Sequence, residues 1–157
     1  MIKSLLTAAL GLALASSAAA KPGDDIAAPV RQFIDGFNSG HIAAAFAAFA
    51  PGTISIIDEF APFHWTGPDA ARAWAAGYDR NARANGISGG VVHYQSPTRV
   101  ERGAGRAYVI MPTDYRYTQR GQAMAETGQL TAVVVRTQRG WKMTGWTWSG
   151  EPPHPAR

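Results

Sequence analysis

"RAYVIMPTDYRYTQRGQAMAETGQLTAVVVRTQRGWKMTGWTWSG", residues 106–150, decides the fold. Through it β-branched and aromatic residues recur with a period of two, and the phrase TQRG falls between runs at 118–121 and again at 137–140. Such alternation marks strands with one buried face, and each TQRG supplies a glycine where a tight hairpin needs positive φ. The repeat is turn chemistry shared by two hairpins, not a duplicated domain. Carried back to Ile87, the same period predicts four long strands, near 89–100, 105–118, 122–136 and 140–149, with Arg102-Gly103-Ala104-Gly105 as the first turn.

Upstream the period is helical. Ile26, Val30, Phe33, Ile34 and Phe37 share one face, Asp24 and Asp25 suit the positive end of that helix, and Asn38-Ser39-Gly40 stops it. A second, short helix is predicted over His41–Ala50, ended by Pro51-Gly52. Thr53–Ile57 is β-branched and reads as a strand, and Phe60–Thr66, broken by Pro62, reads as its hairpin return. Thr66-Gly67-Pro68-Asp69 then offers a cap and an N-terminal proline for a third helix. That helix turns Ala71, Trp74, Tyr78 and Ala82 to the core and stops near Asn85-Gly86. Helices followed by consecutive hairpins make an α+β domain in which three N-terminal helices pack in a strongly curved antiparallel sheet, a cone-shaped half-barrel with a mouth.

The first twenty of the 157 residues read as a secretory signal: an early lysine, an apolar run from Leu5 to Ala15, and Ala18-Ala19-Ala20 before Lys21. Cleavage near Ala20 is expected to release a periplasmic or secreted chain with no membrane span. Residues 21–150 form the single domain, and 151–157 a disordered, solvated tail. There is no cysteine, so packing alone must hold the domain together. Fifteen basic residues face eleven acidic ones, but the arginines are scattered from Arg31 to Arg157. Nucleic-acid binding needs clustered charge and is not expected.

The order of elements, together with "FIDGFNSGHIAAAFAAFAPGTISI" (33–56), "WTGPDAARAW" (65–74) and "GWKMTGWTWSG" (140–150), resembles the nuclear-transport-factor-2-like superfamily. The resemblance is greatest to its SnoaL-like and ketosteroid-isomerase-like groups. It implies the cone fold and a range of activities: isomerases, dehydratases, cyclases, binding proteins and assembly domains. In the steroid isomerases a general-base aspartate ends the first strand. By spacing that position falls nearer Ile56, and Asp58 lies two residues on, on the same face. Their two enolate-holding donors map to Phe33 and about Ala132, neither of which can donate. Since one such donor is worth about 3 kcal/mol of barrier, steroid isomerisation itself is not expected.

From the residues themselves, Asp58 beside Ile54, Ile56, Phe60, Phe63 and Trp65 is the candidate base, because an apolar wall raises a carboxyl pKa. His64 on the hairpin return is its candidate proton partner, and Glu59 should face the surface. The candidate cavity residues are Phe33, Phe46, Trp65, Trp74, Tyr78, His93, Tyr115, Tyr117 and Trp146. His93 contributes only if its strand turns that face inward. Tyr108 falls on the opposite face from Tyr115 and Tyr117 unless Pro112 shifts the register. Histidines 41, 64, 93 and 154 have no metal-ligand spacing, and "ISGG" and "RGAGR" lack the context of a phosphate loop, so neither metal nor cofactor is expected. The expected function is an exported small-molecule-binding cone acting on an apolar carbonyl compound by cofactor-free isomerisation, dehydration or cyclisation. The alternative is a non-catalytic binding or assembly protein that forms homodimers through its sheet.

Overall fold

Helical spacing at the start and two-residue spacing at the end are both realised in the computed structural model, which describes residues 25–156. The expected signal segment and the helix-leading Asp24 lie outside the described residues. Helix α1 (Ala28–Asn38) buries Val30, Phe33 and Ile34, and Asp25 accepts the backbone N–H of Ala27 just ahead of it at 3.1 Å. Helix α2 is a single turn, Ile42–Phe46. Strands β1 (Ile54–Ile57) and β2 (His64–Gly67) form the first hairpin. Thr66 and Gly67 therefore belong to β2, opposite Ser55 and Ile54, and cannot begin the next helix. Helix α3 (Ala70–Asn85) starts later than expected, after Asp69, and ends at Gly86 in the left-handed region.

The long strand expected near 89–100 is two strands, β3 (Ile87–Tyr94) and β4 (Arg99–Arg102), because the chain breaks around Pro97. Strands β5 (Arg106–Gln119), β6 (Gln122–Thr137) and β7 (Gly140–Gly150) follow with short turns, as their glycines require. Strand order is β2-β1-β7-β6-β5-β3, with β4 also on β5 and the two-residue β8 (His154–Pro155) on β6. The tail expected to be solvated is exposed, but it runs extended against Met124 and Ala125 and covers Ala125, which is 6% exposed.

The sheet is mixed rather than wholly antiparallel: β1 joins β7 in parallel, Ser55 opposite Gly145. Glycine is required there, since a Cβ on residue 145 would lie 2.3 Å from the Ser55 carbonyl oxygen. A bulge in the β6–β7 register at Val133/Val134 bends the sheet beside this join. The curled, unclosed sheet thus wraps α1 and α3 as a cone. Its core is filled by Val30, Ile34, Ile56, Val109, Met111, Val134 and Met143. Burying each such side chain contributes about 1.5–3 kcal/mol. Among the described residues, no helix is long and apolar enough to cross a membrane.

Candidate active site

Asp58 is the first residue past β1, so the hairpin fixes its backbone while its side chain turns into the cone. Its N–H donates to the Phe63 carbonyl at 3.1 Å, across a loop that Phe63 closes with φ 69°. Oδ2 accepts the indole N–H of Trp74 at 2.7 Å and Oδ1 accepts the Glu59 N–H at 2.9 Å. Burial raises the Asp58 pKa above the ordinary aspartate value, the two N–H donors oppose that rise, and nearby Glu126 adds to it. Trp74 itself is locked by rings: its centroid lies 5.5 Å from Phe33 and 5.3 Å from Trp146.

One helical turn beyond Trp74, the Tyr78 hydroxyl meets that of Tyr115 at 2.6 Å. Burial raises the pKa of both phenols, so both remain protonated donors. Tyr115 and Tyr117 both project inward from β5, their rings stacked 4.7 Å apart. The Tyr117 hydroxyl donates to Glu126 Oε1 on β6 at 2.5 Å. Glu126 is 2% exposed, and its Oε2 has no hydrogen-bond partner. Glu59 keeps part of its side chain in solvent, but its carboxyl lies beside Glu126. Burial first, and Glu126 second, push its pKa from 4.5 to about 9. The indole N–H of Trp146 is a second buried, unpaired polar group on this wall.

These groups line one half-open cavity of about 100 Å³. By this measure a single water needs about 10–15 Å³, so a small organic molecule fits. Of the residues singled out from the sequence, Phe33, Trp74, Tyr78, Tyr115, Tyr117, Trp146 and Asp58 line it. Trp74 and Trp146 pack against Phe33, and the cavity remains open beside them. His64 is not part of it: the ring is exposed on edge strand β2 and bonds Ser55 Oγ at 3.1 Å. His93 is exposed on the outer face, with Val92 taking the inward position. Trp65 is buried, but beneath α3 against Phe60 and Gly77. Phe46 is half-buried with the Arg72 guanidinium over its ring, also away from the cavity. The β5–β6 register runs unbroken through Pro112, so Tyr108 stays outside.

Glu59, Glu126, Phe60, Thr113 and Trp148 were absent from the expected set and line the cavity. Glu126 carries a readable signal, for it shares its alternation with Leu130, Ala132 and Val134. Glu59 carries none, because the strand ends at Ile57 and alternation stops with it.

A partly closed cone lined by aromatic and carboxyl groups defines a small-molecule-binding α+β fold. The chain belongs to the SnoaL-like domain family, whose sequence profile matches residues 26–153. No curated protein matches its sequence. Among solved structures it is similar to a ketosteroid isomerase-like protein of Erwinia carotovora atroseptica, at 17% identity over 82% of this chain and 95% of that one, TM-score 0.62. It is also similar to a nuclear transport factor 2-like superfamily protein of Salmonella enterica, at 16% identity over 84% and 89%, TM-score 0.64. A third is a hexachlorocyclohexane dehydrochlorinase of Novosphingobium barchaimii, at 11% identity over 82% and 88%, TM-score 0.67. At these identities the likeness is one of fold.

Proposed function

We propose that this cone binds a small, mostly apolar carbonyl compound and moves a proton on it without a cofactor, as in isomerisation, dehydration or cyclisation. One observation carries the reading: Asp58 and the Tyr78–Tyr115 hydroxyl pair face the same aromatic cavity. Asp58 is the base. Both of its oxygens are oriented by N–H donors, and each retains a lone pair for the substrate proton. The two phenols have two hydrogens between them, and their mutual bond uses one. The other donates to the substrate oxygen and stabilises the negative charge that develops there. This donor takes the place expected of His64. Structurally similar proteins with isomerase-like and dehydrochlorinase names support the class of chemistry by analogy of fold.

The test is deuterium wash-in. The protein is incubated with a panel of small ketones in D₂O, chosen by mass spectrometry of whatever co-purifies, and exchange at the carbon next to the carbonyl is followed by NMR. Asp58→Asn is expected to lower the rate by about 10²–10⁴-fold. His64→Ala is expected to leave it unchanged. Undiminished exchange in Asp58→Asn removes the mechanism.

A second reading has its own observation. On the outer face, exposed Tyr108 pairs with exposed Val133, and the next row runs Ile110, Thr131, Thr147 and exposed Ile57. This strip of apolar and threonine side chains, bordered by Arg99 and Glu101, supports homodimerisation through the sheet. Val133→Glu is expected to convert a dimer to a monomer in sedimentation, and a wild-type monomer refutes it. We also propose export, on the strength of the signal-like residues 1–20; N-terminal sequencing of the mature protein checks it.

A further inference from the structure

Glu126 has no part in the proton transfer above, and it sits where a carboxylate is costly. It is 2% exposed, one oxygen takes the Tyr117 hydrogen, the other has no N–H or hydroxyl donor, and its neighbour within hydrogen-bond reach is the Glu59 carboxyl. A buried charge normally has a counter-ion. Here the ionisable groups facing it from the loop after β1 are acids, Asp58 and Glu59, and neither can serve as a counter-ion. Tyr78 from α3 and Tyr115 and Tyr117 from β5 surround it with phenols. Among the described residues that line the cavity there is no lysine, arginine or histidine. The rest of the wall consists largely of aromatic rings, whose faces carry negative potential and attract cations. An anionic ligand would meet the carboxyl groups with no cationic side chain to offset them. A ligand without a donor would leave Glu126 with only the Tyr117 hydroxyl and the Glu59 proton as partners. Among the described residues no His, Cys, Asp or Glu cluster is placed to hold a metal ion, so the complementary partner is an organic cation.

We propose that the ligand of this cavity carries a protonated amine, whose N–H donates to Glu126 Oε2 while its hydrocarbon body lies against the aromatic wall. The proposal rests on the cavity being the small-molecule site and not on turnover there. It narrows the substrate class to amines that also bear the carbonyl held by Tyr78 and Tyr115. Occupation by the ammonium group displaces the proton that Glu59 holds beside Glu126, so binding near neutral pH releases protons.

The experiment is calorimetric titration at pH 7 with three probes of one shape: benzylammonium, benzyl alcohol and benzoate. Benzylammonium is expected to bind about tenfold or more tighter than benzyl alcohol, as a charge-assisted bond implies. Its binding heat should change with the ionisation enthalpy of the buffer, and benzoate should not bind. Glu126→Gln keeps an acceptor for the Tyr117 hydroxyl and should lose the preference for the amine while retaining benzyl alcohol. The probe series on the wild type decides the matter even if that variant fails to fold. Benzyl alcohol binding as well as the amine, or benzoate binding at all, overturns this inference and leaves the cavity reading standing. Absence of binding by all three overturns both.

Discussion

Gly90 on β3 is the position at which adding one methyl group tests the site geometry most directly. A Cβ there would lie 2.6 Å from the Tyr115 hydroxyl oxygen and 2.7 Å from that of Tyr78. Ordinary contact begins at 3.4 Å, so both hydroxyls must retreat by about 0.7–0.8 Å. They are the ends of rigid rings already bonded to each other at 2.6 Å, and retreat lengthens or breaks that bond. Overpacking of this kind costs about 1–3 kcal/mol, and the lost hydrogen bond about 0.5–1.5 kcal/mol more. Gly90 does not occupy the positive-φ region, so alanine is not strained by its backbone. Its reduced unfolded-state entropy returns about 0.4–1 kcal/mol. The first two effects win, and Gly90→Ala should destabilise the protein by about 1–3 kcal/mol, lowering Tm by several degrees. In a Tyr78→Phe/Tyr115→Phe background both close oxygens are gone, the nearest remaining atom is the Tyr115 Cε2 carbon at 3.0 Å, and the same substitution should cost much less. Thermal unfolding of the four proteins measures the coupling. Equal cost in both backgrounds, or none in the wild type, refutes the placement of the two hydroxyls.

Two further outcomes follow from the carboxyl groups. Trp74→Phe keeps a ring in the aromatic stack but removes the N–H that holds Asp58 ionised, so the acid limb of the deuterium wash-in rate should move to higher pH; an unmoved limb separates Trp74 from the base. Glu59 has a folded pKa of about 9 against an ordinary 4.5, so between those values the folded state binds more protons than the unfolded one. Stability should therefore fall as pH rises through that window. Glu59→Gln should flatten this limb of the urea midpoint against pH, and an unchanged slope would show that the Glu59 carboxyl is solvated.

The fold was legible because each of its elements buries one face. Val30, Phe33 and Ile34 could be placed on α1, and Tyr115 and Tyr117 on the inner side of β5, by period alone. Period says nothing of which strands meet. The parallel join of β1 to β7 depends on a missing Cβ at Gly145, and no pattern of hydrophobicity announces that. The same distinction separates the cavity-lining residues that pattern could place from those it could not. Asp58, Trp74 and Tyr78 follow from a strand end and a helix face, so local reasoning reached them. His64 and His93 look like chemistry, but one lies exposed on an edge strand and the other points outward, and a histidine there meets solvent instead of the cavity.

Glu126 shows the converse. Its alternation with Leu130, Ala132 and Val134 turns it inward, yet a charged residue on a buried face is most often discounted as a break in the pattern. Such a side chain is expensive to bury. Its presence is informative for that reason: packing alone would be served better by the apolar residues that occupy the rest of that face. The polar interruption in an otherwise apolar strand is thus where local pattern and global fold disagree, and that disagreement lies in the cavity wall, within reach of Tyr117 and Glu59.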